Sequence, residues 1–251
     1  MTTPRNYKTE AVIIRKTKLG EADRILTLFT PDLGKIRAVA KGVRRPRSKM
    51  SGHLELLTHS LVSLVRGRNL DTVIGSQTVN SFFNLKSDLE LSAAALYVLE
   101  LIDQFTEERE ASPEIFRLLL ETLDNLAKGE NREMTLHYFE MHLLSLAGFK
   151  PELYACVACG KLEPEMNAFS AASGGMLCSI CQKTRYCQPV SASTLNVLRL
   201  LQSDDYETFK SLETNESLSA ELNRIIRNYI QFLLEKEVKS AAFLNDVKSM
   251  S

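Results

Sequence analysis

The 251 residues are 44% hydrophobic and 25% charged, with 31 Lys and Arg against 31 Asp and Glu. That is the composition of a soluble globular chain of one large domain or two to three small ones. No uninterrupted apolar run is long enough to span a bilayer, and MTTPRNYKTE lacks the apolar core of a secretory signal, so a cytoplasmic protein without a membrane partner is expected.

Strand periods fill the first 80 residues. Tyr7–Thr17 is rich in β-branched residues. Arg24–Thr30 and Lys35–Ala40 are separated by a turn of Pro31, Asp32 and Gly34. Leu54–Val65 and Asp71–Val79 flank a hairpin at Arg66-Gly67-Arg68-Asn69. Five strands without a convincing helix predict a small closed barrel of the OB-fold type, an architecture that binds nucleic acid.

From residue 85 the period changes to 3.6. Helices are expected over Leu85–Glu107, from Ser112-Pro113 to Lys128-Gly129, and over Arg132–Ala147, the last stopped by Gly148 and Pro151. A cysteine-rich segment follows, and helices resume over Ser193–Gln202, near Tyr206–Leu212 and over Ser219–Glu237. The fold class is therefore α+β. Its parts are an OB-fold barrel (1–80), an all-helical domain (81–153 and 189–251) and a cysteine module inserted in it (154–188).

All five cysteines fall in that insert. Cys156, Cys159, Cys178 and Cys181 form C-x2-C-x18-C-x2-C, the spacing of two knuckles closing a tetrahedron of thiolates around one structural Zn2+. Disulfides suit neither the compartment nor the clustering. Cys187 lies outside the pattern and reads as a spare thiol, with a substitute ligand as the alternative.

Charge is distributed unevenly. Residues 1–80 hold 15 basic and 6 acidic side chains, a net +9 that the remainder cancels. The stretch KIRAVAKGVRRPRSKM carries Lys35, Arg37, Lys41, Arg44, Arg45, Arg47 and Lys49 and no acid. Arg15, Lys16, Lys18 and Arg24 add to it from the preceding strands. A membrane patch would need an amphipathic helix, which Gly42 and Pro46 oppose. A nucleic-acid face on the barrel is the better expectation. Residues 1–80 contain only Tyr7 and Phe29 as aromatics, so phosphate contact should dominate over base stacking, with weak sequence preference.

Catalytic arrangements are missing from the sequence. There is no GxxxxGK[ST] loop. His137 and His142 are five residues apart, on different faces of their helix. The chain is not expected to be an enzyme. A nucleic-acid-processing enzyme and a zinc-ribbon transcription factor are the competing classes.

LGEADRILTLFTPDLGKIRAVAKGVRRPRSKM, CVACGK with FSAASGGMLCSIC, and NYIQFLLEKEVKSAAFL together, in this order, resemble the RecO family of bacterial DNA repair proteins. The resemblance covers nearly the whole chain. It implies a mediator acting at the bacterial nucleoid on single- and double-stranded DNA. Such a mediator anneals complementary strands. With RecR it helps load RecA onto strands coated by single-strand binding protein.

Overall fold

A computed structural model describes residues 5–129, 131–162, 165–203 and 215–250. The short helix expected near Tyr206–Leu212 lies outside the described residues. Two compact units emerge. One runs to Lys128 and resumes at Ser240; the other is Gly129–Lys239.

The first unit opens with five strands, β1 (Asn6–Leu19), β2 (Asp23–Thr30), β3 (Gly34–Ala40), β4 (His59–Val65) and β5 (Asp71–Asn80). They close into a barrel in the order β1-β2-β3-β5-β4, with β4 returning to β1. Every pairing is antiparallel except β3 with β5. This is the five-stranded barrel expected. β1 serves two neighbours because a bulge between Ile13 and Arg15 bends it: its first half pairs with β4 and its second with β2. Inward positions follow the period of two. Ile13, Leu26, Leu28, Ile36, Ala38, Val62 and Leu64 fill the barrel, and Val43 and Leu54 join them from the loop after β3.

Three helices complete this part of the unit: α1 (Phe83–Ser87), α2 (Leu89–Phe105) and α3 (Pro113–Ala127). The single helix expected over 85–107 is thus two. Asp88 is extended, and its carboxylate accepts from Leu91 N–H at 2.8 Å, starting α2 afresh. α3 begins at Pro113 and ends before Gly129, which takes a φ of +75°. Its Phe116 packs against Phe29 and His59, with ring centroids 6.0 and 5.9 Å apart.

The second unit holds α4 (Arg132–Leu146), the short strands β6 (Ala168–Ser170), β7 (Gly175–Leu177) and β8 (Gln188–Pro189), then α5 (Ala192–Leu200) and α6 (Glu216–Leu234). β6 is central in the three-stranded sheet. Phe169 of β6 meets Tyr229 of α6 edge-on at 5.4 Å. A last helix, α7 (Lys239–Met250), returns to the first unit, where Ser240 N–H donates to Glu100 of α2 at 2.7 Å. Among the described residues no helix is long and apolar enough to cross a membrane.

Candidate nucleic-acid interface and metal centre

The alternation that sends Ile36, Ala38 and Ala40 into the barrel sends Lys35, Arg37, Val39 and Lys41 outward. Outward does not mean exposed at every position. Lys35 is 9% exposed; its Nζ lies 3.1 Å from Asp103 Oδ1 and donates to the Asp103 carbonyl. The segment after α2 covers it, with Arg109 N–H donating to Lys35 O at 2.9 Å. Lys35 therefore anchors α2 and is not part of a free cationic face, contrary to the expectation from its neighbours in sequence. Three more of the expected cations have carboxylate partners. Arg15 lies 3.6 Å from Asp103, and Lys16 and Arg24 both reach Glu55. Arg37, Lys41, Arg44, Arg45, Arg47 and Lys49 are exposed, and among the described residues none has an acidic partner.

The loop that carries most of these cations is fixed to the β1–β2 turn. Gly42 N–H donates to Asp23 Oδ1 at 2.7 Å, and Arg44 N–H to Ala22 O at 2.9 Å. Arg44 Nη1 adds Gly20 O at 3.1 Å. Arg45 N–H to Gly42 O and Ser48 N–H to Arg45 O continue as successive turns. Val43 is drawn into the core beneath them. The charges thus stand on a held backbone, so the loop itself need not be ordered when a ligand arrives.

A second set of cations escaped the sequence reading. The β4–β5 hairpin presents Arg66 and Arg68, both exposed, at a loop that barrels of this type use for binding. Its base is locked by Asp71, which is fully buried. Asp71 accepts from the Tyr7 hydroxyl and from Gly67 N–H at 3.0 Å, and Arg109 lies 3.8 Å away. Burial first, then the bond to Asp71 and its charge, push the Tyr7 hydroxyl well above its ordinary pKa. The Arg66 guanidinium lies 5.3 Å over the Tyr7 ring.

In the second unit the four cysteines expected as ligands come together. Their sulfurs all lie within 4.8 Å of one another, with Cys159 and Cys178 at 4.0 Å. A tetrahedron of thiolates around Zn2+ needs sulfur separations of about 3.8 Å, given Zn–S near 2.3 Å. The arrangement fits. The first knuckle closes with Gly160 N–H on Cys156 O at 2.8 Å, and Gly160 takes a φ of +73°. The second closes with Gln182 N–H on Cys178 O at 3.1 Å. Cys178 N–H donates to Cys156 Sγ across the two at 3.4 Å.

Electrostatics mark Cys156, Cys178 and Cys181. Burial alone would raise Cys156, yet main-chain N–H groups of Cys178, Ala158 and Cys159 bring it down to about 6. N–H groups of Cys181 and Ile180 likewise lower Cys178. Cys181 is pushed up to about 12, first by its bond to Cys178 and then by burial. Four thiolates cannot share this volume without a cation among them. Cys187 stands apart, with its sulfur 3.6 Å from Gln182 O.

The histidines all have partners and form no cluster with the cysteines. His53 bonds Thr78, His59 faces Glu10, His137 bonds Glu140, and His142 reaches Ser203 O.

Comparison with known proteins agrees with this geometry. Residues 1–82 match the family model described as Recombination protein O N terminal, and residues 86–242 the one described as Recombination protein O C terminal. The chain is 48% identical over 249 residues to the DNA repair protein RecO of Dehalococcoides mccartyi strain CBDB1, covering 99% of this chain and 98% of that one. It is 42% identical over 248 residues to the RecO of Roseiflexus sp. strain RS-1, covering 98% and 87%. Against the RecO of Desulforudis audaxviator strain MP104C the identity is 36% over 241 residues, covering 96% of each.

Proposed function

The chain belongs to the recombination protein O family of DNA repair proteins, and from that premise we propose that it is a mediator of strand exchange rather than an enzyme. It binds single- and double-stranded DNA and anneals complementary strands. Together with RecR it helps load RecA onto strands coated by single-strand binding protein. It works in the cytoplasm, at the nucleoid. The observation that carries this reading is the pinned loop after β3, where Lys41, Arg44, Arg45, Arg47 and Lys49 stand exposed without acidic partners among the described residues.

The chemistry is that of screening. Arg37 and the loop cations neutralise phosphates, while the barrel face between them offers Thr17, Val39 and Thr72 rather than aromatic rings. A face that holds phosphates but grips bases weakly lets two strands approach and then releases the duplex. Cys156, Cys159, Cys178 and Cys181 hold one Zn2+, which supplies cross-linking rather than chemistry because thiolates take all four positions.

The test is the salt dependence of binding. Replacing Arg44, Arg45 and Arg47 together with Ala should weaken binding to every sequence alike. It should also flatten the plot of log K against log salt by roughly 0.7–0.9 for each phosphate no longer neutralised. An unchanged slope would remove these arginines from the interface. Labelled complementary strands with Mg2+ should anneal without cleavage; cleavage would return the protein to the enzymes.

A further inference from the structure

The unit Gly129–Lys239 contains a cleft of about 600 Å3 between the segment that follows the second knuckle and the end of α6. That volume is in the range of small-ligand sites. Three aromatic residues line it, of which Phe169 is buried. Tyr186 is 95% exposed and Phe232 49%. The backbone under Tyr186 is held, since its carbonyl accepts from Ser170 Oγ at 2.9 Å. A large ring is thus presented to solvent from a fixed support, where burial gives no reason for it.

The polar lining has a set polarity. Gln188 Oε1 accepts from Arg224 Nη1 at 2.9 Å and from Asn228 Nδ2 at 3.1 Å. Arg224 can only donate, so the orientation of both amides follows from it. The Gln188 NH2 group and the Asn228 carbonyl oxygen are left without partners among the described residues. The cleft lining therefore offers a donor and an acceptor together with aromatic rings. An unpaired nucleobase meets both requirements. It carries a flat face for stacking and adjacent hydrogen-bonding groups on its pairing edge.

Charge favours the same ligand on one wall only. Lys183 and Arg185, outside the lining itself, are exposed just before Tyr186, while Glu235, Lys236 and Glu237 line the wall at the end of α6. Phosphates would follow the first wall, and the base would cross towards the second.

We propose that this cleft receives unpaired bases of single-stranded nucleic acid. The proposal rests on the nucleic-acid reading above and adds to it the stacking that the barrel face lacks. Duplex is excluded, because its pairing edges are already occupied. A base leaves the cleft when it pairs with a complementary strand, so the site holds single strands and releases annealed ones.

The experiment uses the full chain and short mixed-sequence strands. Tyr186→Ala and Phe232→Ala should each weaken single-strand binding about tenfold. Duplex affinity and the salt slope should stay at the wild-type values, because every cation that meets phosphate is still in place. Tyr186→Phe should bind as the wild type does. Strands substituted with iodouracil should photocrosslink to peptides containing Tyr186 or Phe232. Wild-type affinity in Tyr186→Ala, with crosslinks confined to the barrel, would overturn the proposal and leave the cleft to a protein partner. Equal losses for single strand and duplex would overturn it too. A barrel reading that fails shows itself separately, as an unchanged slope in the triple arginine variant.

Discussion

Lys35 and Arg37 are two positions apart on the same side of β3, yet they do different work. Lys35 is capped by Asp103, which lies 68 positions further along the chain, and Arg37 faces solvent. Nothing in KIRAVAKGVRRPRSKM separates them, because the difference is made by α2 and not by the run itself. Lys35→Met should lower stability by roughly 2 kcal/mol in denaturant titration, since it leaves the largely buried Asp103 carboxylate with only the more distant Arg15. It should leave the salt slope of DNA binding unchanged. Tyr7 tells a similar story. Its partner Asp71 is distant in sequence, and the sequence shows neither the bond nor its burial. The folded state holds the Tyr7 proton more tightly than the unfolded state does. Stability from this group is therefore complete below the unfolded pKa near 10 and falls as pH rises above it. Tyr7→Phe should remove that alkaline loss, visible as a flatter stability profile above about pH 10. At neutral pH it should cost about 1–3 kcal/mol for the Asp71 oxygen that loses its donor. A variant with the wild-type alkaline slope would place the titration elsewhere.

At the scale of elements, long periodic segments were legible and short ones were not. The barrel strands and α3, α4, α5 and α6 follow from spacing and caps. The three-residue strands β6 and β7 are too short to show a period, and their pairing follows from where the knuckles bring the chain. α7 was missed because only Leu244 and Val247 of its described side chains carry a clear buried stripe. The break at Asp88 was missed because the apolar spacing runs through it without interruption. Gly34 illustrates a constraint that no periodicity reveals. It has a φ of +60°, and a Cβ there would lie 1.8 Å from Glu110 O in the segment joining α2 to α3. Gly34→Ala should therefore cost about 3 kcal/mol or more in thermal or urea unfolding. Proteolysis should rise first in the segment around Glu110, which must move. Gly20→Ala, which meets nothing within 4 Å, carries only its positive φ and should cost about 1 kcal/mol.

For the whole molecule, the cysteine spacing made the cluster of four sulfurs readable from sequence, whereas the division into units was not. α1, α2 and α3 group with the barrel, and the knuckles group with α4, α5 and α6. Grouping depends on long-range packing, and the 3.6 period is the same on both sides of residue 129. The consequence for the metal is specific. A module with so few large buried side chains cannot order itself, and a thiolate site contributes folding free energy on the order of 10 kcal/mol. Cys178→Ser should lose zinc by elemental analysis and open the unit Gly129–Lys239 to protease. The barrel should persist as a resistant fragment that binds DNA with the wild-type salt slope. Reduced wild-type protein free of zinc would sink the metal assignment. Loss of the slope in Cys178→Ser, with the barrel intact, would put the knuckles against phosphate.

The return of α7 to the unit in which the chain begins matters during synthesis. The barrel strands leave the ribosome early, but Ser240, Leu244 and Val247, which belong to that unit, emerge only after the second unit. At about 10 residues per second, α2 waits roughly thirteen seconds for this helix while the interrupting unit is made. A stop codon just before Ser240 would therefore injure the unit translated earliest, and the cysteine-bearing middle would be spared.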